Sequence, residues 1–389
     1  MRMGMKTLIE LYDEQPIENV LGAEMFRPQE MVLICPPDVK KNTGLLKSLK
    51  AYFRHRGCPV KVTFVSTSLL DAVKVENTLR QVLQSREDCA IDISGGSDAA
   101  LFAAGAISGQ TPVFTYSWKK NTFFEIKNAP FARDLPCTIR LNAEACFLMA
   151  GGTLLPGRED NRTLKARLPQ IDRLFSVYCA HRRVWNRQVS YFQKLAAAGE
   201  NGLTARGGRT GKADHGMVTA DEGLLRDLEA AGLIRALSVT DDEVSFRYAD
   251  ETVRFWLRDM GSALELQVYR ACLAADCFDD VILSAVVNWN ADDARRNAVT
   301  NEIDVMAVRG IQPVFISCKS SEIKTEALNE LAVLRDRFGG KLSRALIVTS
   351  ASPGKSRSVM RRRAAELGIE VVEWDDLQTE RLAERLRAK

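Results

Sequence analysis

Five short apolar runs in the first third, "TLIELY", "MVLICP", "VTFVST", "CAIDIS" and "PVFTYS", are each separated from the next by a stretch that fits a helix. That rhythm leaves few options: strands alternating with helices pair in parallel, with helices covering both faces of the sheet. "PVFTYSWKKNTFFEIKN" then reads as two strands joined by a polar turn, an antiparallel hairpin at the sheet edge. The rhythm stops at about Leu141 and resumes near Met260, so the expected units are 1–140, 141–259 and 260–389.

Residues 141–259 carry different signals. "RLPQIDRLFSVYCAHRRVWNRQVSYFQKLAAA" has aromatic and aliphatic residues at helical spacing. "GENGLTARGGRTGKADHG", with six glycines from Gly199 to Gly216, predicts a loop or hinge. Its "GGRTGK" is not a phosphate loop, because Arg206 stands where the first glycine belongs and Ala213 where Ser or Thr belongs. Leu224, Leu225, Leu228 and Ala231 mark a helical face ending at Gly232, and "LIRALSVTDDEVSFRYADE" follows as two strands. A helix followed by a hairpin is the outline of a winged helix, which many small α+β linkers share.

The last unit reads helix (261–275), strand (281–290), strand (302–307), strand (313–318), helix (322–338), strand (344–349), helix and a final strand "IEVVEW". Within it, "NEIDVMAVRGIQPVFISCKS" concentrates the chemistry. Alternation puts Glu302, Asp304 and Met306 on one face of a strand, and Phe315, Ser317 and Lys319 on one face of the next, across a turn at Gly310. With those faces aligned, Glu302, Asp304 and Lys319 converge. Two acids hold a divalent cation, and an ammonium steadies charge on phosphate oxygens. Only three histidines occur, and the nine cysteines are single, several in apolar runs such as "MVLIC" and "VFISC". Zinc is disfavoured, and Mg²⁺ or Mn²⁺ on carboxylates is the expected cofactor.

The order helix, strand, strand with an acid, strand ending in xxK, helix, strand resembles the PD-(D/E)xK nuclease core. Asp304 matches its strand acid, Lys319 its lysine and Glu265, in "LELQVYRACL", the acid often found on its first helix; Ser317 stands where a second acid belongs. Taken with "TLIELYDEQPIENVLGAEMFRPQEMVLICP", "DISGGSDAALFAAG" and "EALNELAVLRDRFGGKLSRALIVTS", the chain resembles the CRISPR-associated family that joins a CARF domain to a PD-(D/E)xK nuclease domain. The resemblance implies a Rossmann-like CARF domain at 1–140, a winged-helix-like middle and a restriction-endonuclease-like domain at 260–389. It also implies a cyclic oligoadenylate activator, with cyclic tetra-adenylate the first choice, and metal-dependent cleavage of single-stranded DNA, RNA or plasmid DNA in type III CRISPR defence. The serine form "ISCK" is common in that family. Glu302, on the neighbouring strand, is expected to supply the charge that Ser317 lacks.

At the other end, "DISGGSDAALFAAG" follows a strand and opens a helix. Ser94, Gly95, Gly96 and Ser97 are therefore expected at a ligand: the glycines for close backbone approach, the serine as a cap beside exposed N–H groups. The position also resembles the family's nucleotide loop. Gln15 in "DEQPIEN" and Asn42 and Thr43 in "PPDVKKNT" open on the same side as candidate hydrogen-bonding groups, with Lys40 or Lys41 for phosphate. A ring of even number fits a dyad, so a homodimer is expected. The basic run "KSRSVMRRR" fits a phosphate-neutralising edge as well as a solvated helix face.

Hydrophobic residues at 46% and charged residues at 27% describe a soluble globular protein; the net charge of +4 does not by itself announce a nucleic-acid binder. No run spans a membrane and "MRMGMKTLIELYDEQP" lacks a signal peptide's apolar segment, so a cytoplasmic protein is expected. The rival reading is a ligand-sensing transcription regulator whose middle segment binds DNA and whose last domain is inert.

Overall fold

In this computed structural model the described residues are 5–157, 160–198, 202–214, 216–289, 299–351 and 357–387. The first unit alternates as its apolar runs require: β1 Thr7–Leu11, α1 Leu21–Phe26, β2 Glu30–Cys35, α2 Pro37–Lys41, α3 Thr43–His55, β3 Lys61–Ser66, α4 Ala72–Ser85, β4 Cys89–Asp92, α5 Asp98–Ile107, β5 Val113–Ser117, β6 Thr122–Lys127 and β7 Leu135–Pro136. The strands lie in the order β3-β2-β1-β4-β5-β6-β7. Pairing is parallel from β3 to β5 and antiparallel beyond. The helices α1 and α3 cover one face; α4 and α5 pack on the other with Ile9, Leu11 and Ile91.

At the centre of this sheet Glu10 pairs in register with Asp92. Both side chains are buried, and Glu10 Oε1 and Asp92 Oδ2 have no hydrogen-bond partner among the described residues. Any side chain at Gly22 of α1 would run into both oxygens. Burial lifts both carboxyls, Asp92 to about 7, and two acids this close cannot both ionise, so the pair holds a proton.

The middle unit consists of α7 Asn161–Ala166, the long α8 Leu168–Lys194, β9 Ala196–Ala198, β10 Thr204–Gly208, β11 Thr210–Ala213, β12 Gly216–Thr219, α9 Glu222–Ala230, β13 Ile234–Val239, β14 Glu243–Tyr248 and α10 Glu251–Trp256. The expected helix followed by a hairpin is present as α9, β13 and β14. The glycine-rich stretch, however, is strand and not hinge, and the alanines read as a helix end form β9, which pairs with β10. The glycines allow close packing here. A Cβ at Gly207 would stand 2.8 Å from Leu195 Cδ2, and one at Gly211 3.3 Å from Tyr191 Cε2. Strands pressed this closely on the end of α8 must lack the side chains whose alternation would have revealed them.

The third unit has α11 Ser262–Ala274, β15 Asp280–Asn288, β16 Thr300–Arg309, β17 Gln312–Lys319, α12 Thr325–Phe338, β18 Arg344–Thr349, α13 Arg357–Glu366, β19 Ile369–Val372 and α14 Thr379–Arg387. Its sheet runs β19-β18-β17-β16-β15-β8, where β8 is Thr153–Leu154. One face (Val305, Ala307, Ile316, Val348) packs on α8, α11 and α14; the other (Met306, Val308, Phe315, Ile347) packs on α12 and on α6, Ala143–Met149. Six of the seven α6 residues are buried, in the same core as α3 of the first unit.

The proton held by Glu10 and Asp92 has a stability consequence. A carboxyl whose folded pKa is raised contributes stability below its ordinary pKa, and that contribution is lost as pH rises toward about 7. The ligand-free protein should therefore melt lower at pH 8 than at pH 5.5, and Asp92→Asn should flatten the slope and raise the pH 8 melting temperature by roughly 5 °C. A pH series of melting curves for both proteins checks this.

Candidate functional site

The C-terminal unit places four acids around one cavity of about 330 Å³: Asp259, Glu265, Glu302 and Asp304, with Ser284, Trp256 and Leu283 in the wall. Asp259 comes from the turn before α11, where its Oδ2 accepts from the Gly261 and Ser262 amides at 3.1 and 2.8 Å. Glu265 sits in the first turn of α11 with its carboxyl folded back over Gly261. Asp304 Oδ2 is held from β17 by the Cys318 amide at 2.5 Å and the Ser317 hydroxyl at 3.2 Å, with Lys319 Nζ at 3.7 Å. Ser317 thus positions the acid opposite it.

How Glu302 and Asp304 reach the α11 side differs from simple alternation. Met306, expected on their face, is buried on the opposite one, paired with Phe315. Asp304 lines the cavity and its neighbour Val305 packs in the core on that same side. The paired strand does likewise: Leu283 and Ser284 both face the cavity, and Ser284 has φ 51°. A residue held in the left-handed region breaks the period-two rule locally, and here it does so beside the acids.

The electrostatics fit a cation. Burial first, then the charges of Asp304, Asp259 and Glu302, push Glu265 up to about 8, with Lys319 pulling the other way. Among the described residues no three of these acids are already gathered as a metal cluster. The donor set is all carboxylate oxygen, which suits Mg²⁺ or Mn²⁺. Sequence reasoning missed Asp259; an aspartate two residues before a helix-starting glycine was its signal. Glu326 is exposed on α12, which packs on the other face of the sheet.

In the first unit the loops after β1 and β4 meet. The Gly96 amide donates to Asp13 Oδ2 at 3.0 Å. A Cβ at Gly95 would stand 2.8 Å from Asp13 Cβ, and one at Gly96, where φ is +108°, 2.8 Å from Leu11 Cβ. The glycine pair therefore has a packing reason independent of any ligand. Ser97 caps α5 through the Ala100 amide at 3.2 Å, and its hydroxyl donates to the Leu69 carbonyl. Ser94 donates from both amide and hydroxyl to Asp92 and accepts from the Tyr116 amide. Gln15 reaches the third unit, its Oε1 accepting from the Lys341 amide at 2.7 Å. Asn42 caps α3 through the Leu45 amide, and Asn42, Thr43, Lys40 and Lys41 are exposed. Burial and Asp13 lift Glu18 to about 7 beside Gly95. In the basic run, Lys355 lies outside the described residues, while Arg361 and Arg363 pair with Glu373 and Glu366 on the surface.

Residues 249–389 match the family model of the Card1-like endonuclease domain. Among solved structures, the chain is similar to Can2 from Sulfobacillus thermosulfidooxidans in complex with cyclic tetra-adenylate, at 13% identity and TM-score 0.69 over 98% of both chains. It is also similar to protein VC1899 from Vibrio cholerae, at 17% identity and TM-score 0.72 over 98% of this chain and 97% of that one. No curated protein sequence matches the chain. These findings bear out the resemblance and, for the fold class, a mixed α/β chain whose C-terminal part belongs with a Card1-like endonuclease domain.

Two outcomes follow from this geometry. Glu265→Gln removes a charge that its neighbours oppose; the wild-type contribution is lost as pH rises through about 8, so in EDTA at pH 9 the variant should melt several degrees higher. Equal melting temperatures would mean the acids do not repel one another. Gly96→Ala, which meets Leu11 in a left-handed backbone, should cost roughly 1–3 kcal/mol in chemical denaturation, independent of activator.

Proposed function

We propose that this protein is a divalent-metal-dependent nuclease switched on by a cyclic oligoadenylate, with cyclic tetra-adenylate the first activator to test, acting in type III CRISPR defence in the cytoplasm. The observation that carries it is the cavity lined by Glu302, Asp304 and Glu265, with Lys319 Nζ 3.7 Å from Asp304, inside a domain that matches an endonuclease family. Asp304, Glu302 and Glu265 would hold Mg²⁺ or Mn²⁺, which supplies an activated water at neutral pH. Asp304 lines the cavity and is fixed there by the Cys318 amide and Ser317 hydroxyl, with little freedom to wander. Glu302 brings from β16 the charge that Ser317 does not supply. Lys319 is placed to donate to a phosphate oxygen as negative charge builds there.

The regulator reading loses ground on α9. The helix a winged domain would insert into DNA carries Glu222, Asp227 and Glu229 against one arginine, Arg226, which is already paired with Glu222. Such a helix repels phosphates.

The activator reading rests on the switch point between β1 and β4, where ligands bind in open parallel sheets, and on the fold shared with a protein solved with cyclic tetra-adenylate. A homodimer is supported by Leu70, Val73 and Phe102, exposed at 86%, 67% and 72% on or beside the mutually packed α4 and α5. Large apolar side chains left in water on one side of a domain mark a partner surface, and α5 begins at the Gly95–Gly96 turn. A dyad there brings two ligand loops together.

Labelled single-stranded DNA, RNA and supercoiled plasmid, incubated with Mn²⁺ or EDTA and with or without each cyclic oligoadenylate, test the reading directly. Cleavage in EDTA, or equal rates without activator, would sink it. Glu302→Gln, Asp304→Asn and Lys319→Ala should each slow cleavage roughly a hundredfold or more at saturating activator, and Ser317→Ala much less. Phe102→Glu should shift the mass measured by light scattering from dimer to monomer; an unchanged dimer would place the interface elsewhere.

A further inference from the structure

The long helix α8 crosses the ends of the two strands beside the acid cavity. Asn186 donates to the Ser320 carbonyl at 3.2 Å, next to Lys319. Arg182 donates to the Ser350 carbonyl at 3.3 Å, and the Tyr178 hydroxyl meets that of Ser350. The Ser350 amide in turn donates to the Lys319 carbonyl at 3.2 Å. The helix is thus joined to the strand end that carries the lysine.

At this crossing α8 bends. His181 has φ −113° and ψ 18° inside the helix, and its Nε2 lies 2.7 Å from Asp227 Oδ2. Beside the bend is a cavity of about 420 Å³ lined by His181, Arg182, Arg183, Asp221 and Trp374. The Arg182 guanidinium sits 4.1 Å from the Trp374 ring centroid, a flat cation held over an aromatic ring. Arg183 and Arg187, one helical turn apart, are exposed and have no acidic partner among the described residues. The acid in the wall, Asp221, is occupied as the cap of α9, its Oδ1 accepting from the Leu224 amide at 2.9 Å.

We propose that this bend is a substrate subsite for single-stranded nucleic acid, on the lysine side of the cleavage centre. Arg183 and Arg187 contact the sugar–phosphate backbone. Arg182, braced on Trp374, offers a planar surface on which an unpaired base stacks. A duplex keeps its bases inside and cannot use that surface, so the subsite selects single strands. The inference rests on the nuclease reading above, but its test does not need cleavage.

Fluorescence anisotropy of a labelled 20-nucleotide single strand, in EDTA with cyclic tetra-adenylate present, reads the subsite alone. Arg183→Gln with Arg187→Gln should weaken binding about tenfold at low salt and reduce the slope of log affinity against log salt by about 0.7 for each arginine. Arg54→Gln, on the N-terminal unit, should change neither. A blunt duplex of equal length should lose much less than the single strand in the double variant. No binding by the wild-type protein, an unchanged salt slope in the double variant, or equal losses for single strand and duplex would overturn the subsite. Wild-type protein that binds as described yet never cleaves would overturn the nuclease reading and leave the subsite standing.

Discussion

The geometry of the acid cavity depends on one backbone irregularity. Ser284 on β15 sits in the left-handed region beside Asp304 on β16, and at that point both strands present two consecutive residues to the same side. Without it, a strand that buries Val305 and Ala307 under α11 would turn Asp304 toward α12, away from Glu265. Backbone strain of this kind costs roughly 1–3 kcal/mol and persists only where the surroundings enforce it. The surroundings here are strong: eight paired positions between β15 and β16, with a buried layer on each face.

The cavity is assembled from parts with different jobs. Asp259 caps the start of α11 and thereby fixes where Glu265 emerges. Ser317 and the Cys318 amide fix Asp304. What remains is a set of acids that disfavour one another and are relieved by positive charge, the condition in which a site stays ready without closing on itself. The first unit shows the same economy at Glu10 and Asp92, where a proton takes the place of a counter-ion.

Much of this was legible in the sequence. The parallel sheet followed from five apolar runs, and Arg344–Thr349 was read at its observed limits. Asp304 and Lys319 were found because acid and lysine stood at strand-compatible positions across a short turn. What escaped has a common cause. Strict alternation put Met306 with the acids, since nothing in "EIDVMAV" announces that a partner strand will force a flip. The glycine-rich strands β10 to β12 were invisible because their packing surface is backbone. Gly95 and Gly96 carry a packing role against Asp13 and Leu11 that the sequence did not announce. In each case a contact distant in sequence decided a local conformation.

The helix α6 belongs to no single unit. Its side chains are buried between α3 of the first unit and the sheet of the third, with Phe147 against Phe338 at 5.2 Å, and the chain before it is tied down where the Leu141 amide meets the Gly310 carbonyl. The first and third units are therefore not interchangeable modules. A recombined protein that joins this first unit to a foreign third one inherits an open apolar seam on both sides of the junction. A crossover that keeps the seam closed has to carry α6 together with the strands it touches.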